Sequence, residues 1–147
     1  MKSLFDESVY SEVLARIDNL DENSKRQWGK MTVGQMVWHC QFPLAIAVKN
    51  KKPKTNGNLL AKLFFKNSLY NDKPFRKNLP TSPALKAREE KDFKVELAKL
   101  RQLVIDFHNT RNRKTWNPHP MFGTFTPEQW GQLEYKHLDH HLRQFGV

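Results

Sequence analysis

The stretch TPEQWGQLEYKHLDHHLRQFG, residues 126–146, shows how this chain folds. Thr126 and Gln129 have the spacing of a capping box, in which each side chain bonds the backbone N–H of the other residue. Pro127 between them suits the first turn of a helix, and Gly146 suits its end. Apolar residues recur at steps of three and four between these two signals. The stretch therefore predicts a helix from Thr126 to Phe145.

The same helix carries a histidine pair with the spacing of metal ligands. His137 and His141 are four residues apart, so both rings lie on one face, one turn apart. His140, three residues after His137, offers an alternative partner, but on a helical wheel it points about 150° away from the apolar face, towards solvent. Glu134 faces inward and is a candidate partner of a ligand histidine, a weak fourth ligand or a weak catalytic base.

A third histidine lies on a different predicted helix. Thr32 and Gln35 form a second capping box, and His39 follows among apolar residues. Pro43 cannot donate to the carbonyl of His39, so a kink or an early end is expected there. A lone histidine in such a setting is usually a core residue. Two separate helices that each place imidazole on an apolar face favour a shared site, and three neutral imidazoles suit zinc, nickel or iron.

Two further helices complete an all-α prediction. The first covers Ser8 to Leu20, and the other begins with Ser82 as N-cap and Pro83 in its first turn and continues to about His108. A long basic connection over residues 49–81 precedes it, in which LLAKLFF (59–65) predicts a short helix packed over the bundle. We therefore expect residues 1–147 to form a single domain, a four-helix bundle with one long crossover.

WGKMTVGQMVWHC (28–40) and HPMFGTFTPEQWGQLEYKHLDHHLRQFGV (119–147) resemble the signature segments of the DinB-like superfamily. Within it they are most similar to a bacterial branch known only as a domain of unknown function. The resemblance implies up-down-down-up topology and a metal site formed by His39, His137 and His141. Related families include thiol-dependent transferases and isomerases, and many members dimerise. The resemblance therefore implies a divalent metal ion, a low-molecular-weight thiol as possible cofactor, and a homodimer, but no particular reaction.

Positive charge is concentrated in one part of the chain. The net charge is +10, and residues 23–71 contain nine Lys or Arg and no Asp or Glu. Such a segment can attract nucleic acid, an anionic metabolite or an acidic surface, or it can be a solvated loop. The basic patch is defined by Lys49, Lys51, Lys52, Lys54, Lys62 and Lys66.

The other candidate residues have weaker arguments. Cys40 adjoins His39, but successive helical residues diverge by about 100°, so a core position is favoured over a catalytic one. His119, between two prolines, either shapes its loop or reaches the mouth of the site. His108 is expected to favour the negative end of its helix. Lys136 and Arg143 are expected to be surface charges.

Two main functions remain open on these grounds. The first is a metal-dependent transferase, isomerase or hydrolase that acts on a small, anionic substrate or a thiol, although no residue is a convincing general base. The second is a nucleic-acid-binding protein that uses the 23–71 segment, with Phe64, Phe65 and Tyr70 available for base stacking. A metal-binding protein without catalytic activity is a third. The lone cysteine and the charged N-terminus predict the cytoplasm, and the lack of a long apolar run predicts no membrane partner.

Overall fold

The computed structural model describes residues 1–55 and 57–147. Over these residues the chain is all-helical, and its only β-type pairing is an isolated bridge between His119 and Gly123. The six α-helices are α1 (Glu7–Asp18), α2 (Val33–His39), α3 (Gln41–Lys49), α4 (Leu59–Phe64), α5 (Phe93–Asn109) and α6 (Pro127–Gln144).

Helix α5 lies at the centre of the packing. It contacts α1, α2 and α3, while α6 contacts α1 and α3. The core between them contains buried apolar side chains from each of these five helices, and α4 contributes none. Representative fully buried members are Val13, Met36, Leu44, Leu100 and Leu138. The predicted all-α class is thus confirmed.

The predicted kink or early end of the second helix takes the form of an interruption at one residue, Cys40, whose backbone stays in the right-handed helical region. Helix α2 ends at His39, Cys40 separates the two segments, and α3 begins at Gln41. Pro43 causes the break because it has no N–H for the carbonyl of His39 and its ring collides with that carbonyl in a continuous helix. His39 is therefore the last residue of a short helix whose start is fixed by the predicted Thr32–Gln35 capping box.

The predicted start of the third long helix is wrong by about ten residues. Ser82 precedes only a 3-10 turn, Pro83–Leu85, and α5 begins at Phe93 with Asp92 as its N-cap. Carbonyls between these points are instead hydrogen-bonded to side chains of α2. The Leu85 carbonyl lies against His39, and the Glu89 carbonyl accepts from the Gln35 side chain. Tertiary hydrogen bonds thus replace the i to i+4 bonds that the pattern predicted.

Helix α6 agrees closely with its prediction. Thr126 and Gln129 form the full capping box, Pro127 is in the first turn, and the helix ends at Gln144. Gly146 follows with a φ of 80°, a conformation that suits glycine after a helix end. The histidine pair is therefore carried by 18 continuous helical residues.

The short helix in the basic connection is confirmed, but its predicted packing is wrong. Helix α4 has no buried residue, and Leu59, Leu60, Leu63 and Phe64 are each more than 60% exposed. These side chains face solvent, whereas the prediction had the helix packed over the bundle.

None of the helices in the described part of the chain has both the length and the apolar character needed to cross a membrane.

Candidate metal centre

Three histidines converge where the end of α2 meets the C-terminal half of α6. One ring nitrogen each from His39, His137 and His141 lies within 4.8 Å of the other two. The Nε2 atoms of His39 and His137 are 3.2 Å apart. His39 and His141 are buried, whereas His137 is partly exposed. The structure thus brings together all three residues that the sequence predicts as ligands.

A main-chain carbonyl determines which nitrogen of His39 carries the proton. Nδ1 of His39 lies 2.9 Å from the carbonyl oxygen of Leu85. A carbonyl oxygen only accepts, so Nδ1 carries the hydrogen and donates it. The Nε2 atom, on the side facing His137, is left with a free lone pair in the neutral ring. This is the tautomer that a metal ligand requires.

A relay through Gln144 has the same effect on His141. The Gln144 amide nitrogen donates to the carbonyl of Trp28 at 2.9 Å, which orients the side chain. Its Oε1 atom therefore faces Nδ1 of His141, 2.8 Å away, and accepts from it. The lone pair of His141 is consequently on Nε2, as in His39.

His137 differs from its two neighbours because its Nδ1 atom has no partner. That atom is buried and makes no hydrogen bond. Both carboxyl oxygens of Glu134, one turn earlier on α6, are also buried without a partner, and Glu134 is completely inaccessible to solvent. Burial raises the pKa of Glu134 well above its usual range, so the neutral acid is favoured. Glu134 does not belong to the three-histidine group.

The electrostatics of the group suit a cation. Burial lowers the pKa of His39, lowers that of His137 well below its usual range, and lowers that of His141 to about 3. At neutral pH the rings are uncharged, which is the form that binds metal. Two zinc ligands at about 2.1 Å in tetrahedral geometry are about 3.4 Å apart. The 3.2 Å between His39 and His137 is close to that spacing, so these residues fit a divalent ion.

The connection between α3 and α5 covers this end of α6, which corrects two predictions. His140 is only 8% exposed, with its ring against Trp28 and Phe75. Lys136 is 6% exposed, and its amino group donates to the main-chain carbonyls of Ser68 and Asn71. The helical wheel correctly placed both residues away from the core, but it could not show that another segment covers that face.

His119 and Cys40 have structural roles in the loop and in the core, respectively. Nδ1 of His119 accepts from the backbone N–H groups of Met121 and Phe122, so this histidine shapes its loop, and it lies outside the three-histidine group. Burial lowers its pKa to about 4. The Cys40 thiol is buried 3.6 Å from the sulfur of Met36, and burial raises its pKa. A buried neutral thiol is a poor nucleophile, so Cys40 is a core residue.

His108 and Arg143 are the last two residues for which the sequence makes a structural prediction. His108 does not simply face the end of α5, as predicted. It is buried, with Nδ1 at 2.9 Å from the Leu4 carbonyl, and its ring stacks on Tyr10. It therefore attaches the N-terminal segment to α5. Arg143 pairs with Asp139 on the outside of α6, as predicted for a surface charge.

The lysines of the basic patch differ in their exposure to solvent. Lys49, Lys51, Lys52 and Lys54 are exposed, whereas Lys62 and Lys66 are partly buried. Lys66 donates to the Thr124 carbonyl, in the loop before α6. The patch thus lies towards the N-terminal end of α6, while the histidines lie two turns or more along that helix.

Sequence reasoning missed the partners of the ligands. Gln144 lies three residues after His141 on the same face of α6, so helical spacing would have identified it. The Leu85 carbonyl carries no sequence signal, because any residue supplies a carbonyl. Its role depends on the path of the connection.

The low pKa values predict acid sensitivity in chelator-treated protein. In the unfolded chain these histidines take up protons below about pH 6.5, whereas in the folded chain burial lowers their pKa values and they stay neutral to lower pH. The unfolded state then binds more protons, so the free energy of unfolding falls as pH decreases from about 6.5, by up to about 1.4 kcal/mol per pH unit for each histidine. Urea unfolding at pH 7, 6 and 5 measures this fall.

Most carboxylates protonate below about pH 5, so the buried histidines dominate the range above it. Glu134, whose pKa is raised by burial, acts in the opposite direction and offsets part of the fall. The matched variant His141→Gln is expected to show a shallower dependence. Equal stability of the parent chain at pH 7 and pH 5 would contradict the assignment of neutral buried rings.

Comparison with known proteins identifies a family. Residues 5–146 match the family described as "Protein of unknown function (DUF1569)", so the chain belongs to this family. No curated protein and no solved structure shows a significant match to the chain.

Proposed function

We propose that this protein binds one divalent metal ion through Nε2 of His39, His137 and His141. One observation carries the proposal: two of the three rings have their Nδ1–H groups held by fixed acceptors, Leu85 and Gln144, so that their lone pairs are on Nε2. The buried His108 also has Nδ1 against a main-chain carbonyl, so the support lies in the combination of this tautomer with three rings that converge within 4.8 Å. Zinc, nickel and iron are the ions whose preferences fit three imidazoles.

At the level of fold, we propose that the chain belongs to the DinB-like superfamily. In this proposal α1, α2 with α3, α5 and α6 correspond to the four helices of an up-down-down-up bundle. In this proposal α2 and α3 together form the second helix, interrupted at Cys40. Support comes from the motif segments at 28–40 and 119–147 and from the position of the three histidines on α2 and α6.

We further propose that the bound metal serves catalysis by a transferase, isomerase or hydrolase. A divalent ion held by three neutral imidazoles retains open coordination positions and supplies Lewis acidity to water or a thiol. The chain itself supplies the ligands, and the Leu85 carbonyl of the connection between α3 and α5 lies against one of them, His39.

The direct test is metal analysis of protein purified without a His-tag. Chelator-treated protein is titrated with zinc, nickel and ferrous ions in turn, and bound metal is measured after gel filtration. We expect about one ion per chain for at least one of these metals. Failure to retain any of the three would reject the proposal.

The proposed catalytic activity is tested by a separate assay. The metal-loaded protein is incubated with low-molecular-weight thiols and electrophilic substrates, and product formation is compared with that of metal-depleted protein. Thiol transfer that depends on the metal supports the enzyme. Stoichiometric binding with no turnover of thiol, ester or amide substrates would instead leave a metal-binding protein without catalytic activity.

A further inference from the structure

Helix α4 presents an apolar face to solvent. Leu59, Leu60, Leu63 and Phe64 have the i, i+1, i+4, i+5 spacing of one helix face, and Phe65 follows directly. Their exposed fractions are 70, 63, 67, 72 and 58%. Single exposed apolar residues are ordinary on protein surfaces, but five contiguous ones on one element mark an interaction site.

Helix α4 turns its apolar face towards solvent, whereas an ordinary surface helix turns that face towards the core. Its partly buried residues are Ala61 and Lys62, and the side of the helix that carries them faces the loop before α6. A Cβ atom at Gly123 would lie 2.9 Å from Cε of Lys62, so the lysine stem packs directly on that loop. The Asn58 backbone also donates to the Met121 carbonyl. These contacts hold the apolar face outward.

The chain that leads into this face is basic. The segment just before it contains the exposed side chains of Lys51, Lys52 and Lys54, of which Lys52 lines a cleft with Lys62 and Gly123 beside α4. The sequence between residues 23 and 71 has no acidic residue. The apolar residues Leu59, Leu60, Leu63, Phe64 and Phe65, taken together with these three neighbouring lysines, are called the α4 surface below.

We propose that the α4 surface binds the face of a bilayer that contains anionic phospholipid. The leucines and phenylalanines enter the boundary between headgroups and acyl chains, while the lysines contact the lipid phosphates. Because no apolar run spans a bilayer, the sequence predicts no membrane partner. Attachment through one short helix lying in the interface needs no span.

Charge and composition favour lipid over the other occupants. A second copy of the chain would bring two sets of lysines together, and this repulsion opposes a symmetric contact. Nucleic acid would use the positive charge and the exposed rings of Phe64 and Phe65, but it would gain little from the three leucines, because bases stack on aromatic rings. Tyr70, predicted to stack, is partly buried, and its hydroxyl donates to Asn67.

The test uses the full chain and two kinds of vesicle. One is phosphatidylcholine alone, and the other contains about one third phosphatidylglycerol. We expect the protein to sediment with the anionic vesicles and to be released as salt increases. The double variant Leu60→Glu, Phe64→Glu is expected to lower the bound fraction at least tenfold. Its matched control, Leu79→Glu with Val95→Glu, changes two exposed apolar residues elsewhere and is expected to bind normally.

A second pair of variants tests the charges. Neutralising Lys51, Lys52 and Lys54 with glutamine is expected to weaken binding by roughly fivefold per lysine. Neutralising the exposed Lys73, Lys86 and Arg88 in the same way is expected to have a smaller effect. Circular dichroism confirms that each variant is folded.

Three results would overturn the proposal. These are no binding to anionic vesicles, equal binding by the Leu60→Glu, Phe64→Glu variant, and dimerisation in solution that this variant abolishes. The last would assign the α4 surface to a second copy of the chain. Metal content does not enter any of these measurements, so the outcome is independent of the metal centre.

Discussion

Replacing His137 with alanine is expected to lower metal affinity by more than about 100-fold. Loss of a residue that only supports a ligand already costs about 10- to 100-fold, and His137 supplies one of three ligand atoms. Its Nε2 atom is 3.2 Å from that of His39, so the substitution also removes the nitrogen that faces His39. Competition against a chromophoric chelator measures the change.

His140→Ala is the matched control for this experiment. His140 is adjacent to His141 on the same helix and is equally buried, but it lies outside the three-histidine group. We expect this variant to bind metal with nearly the parent affinity. Full metal occupancy in His137→Ala, or an equal loss in both variants, would show that the assignment of ligands is wrong.

Replacing Glu134 with leucine is expected to stabilise the metal-free protein and weaken metal binding. Two buried oxygens without partners cost about 1–3 kcal/mol, and leucine removes them while filling a similar volume. The free energy of unfolding should therefore rise by about that amount. An apolar residue of this size at a completely buried position has no other reason to destabilise the chain.

The loss of metal affinity follows from the orphaned nitrogen of His137. When Nε2 binds a metal, the proton of the neutral ring must be on Nδ1, which then needs an acceptor. Glu134 lies one turn away on the same face of α6, and rotation of its side chain can supply the acceptor. We expect affinity to fall by about 10- to 100-fold in Glu134→Leu.

Glu134→Gln separates the two effects. Its amide oxygen can still accept from His137, so metal binding is expected to lie between that of the parent and that of Glu134→Leu. Urea unfolding and chelator competition on the same samples provide both measurements. Metal affinity that is unchanged in Glu134→Leu would show that Glu134 does not support His137.

The two capped helices were the parts of the fold most open to prediction. Thr126 and Thr32 begin helices where the capping boxes indicate, because cap hydrogen bonds are local and nearby residues determine them. Ser82 illustrates the limit of this reasoning. Ser82 followed by Pro83 also suits a helix start, but residue 85 is Leu and cannot complete a capping box. The chain beyond it forms only a 3-10 turn and then hydrogen bonds to α2.

In the candidate metal centre, too, the features that depend on local spacing could be predicted, whereas those that depend on distant segments could not. His137 and His141 are related by helical spacing alone, and the structure brings His39 to them as the apolar pattern suggested. The burial of His140 and Lys136 could not be predicted in this way. It depends on where a connection of more than forty residues runs after it leaves α3, and no periodic pattern describes that path.

The acceptor that orients His39 has a consequence for how sequences of this kind can diverge. Because the Leu85 group involved is a main-chain carbonyl, almost any residue at this position preserves the hydrogen bond. Substitution can thus change the side chains of the crossover while the imidazole keeps its tautomer. Distant relatives would then share the three histidines and the course of the backbone above them, with little recognisable similarity in the segment that completes the site.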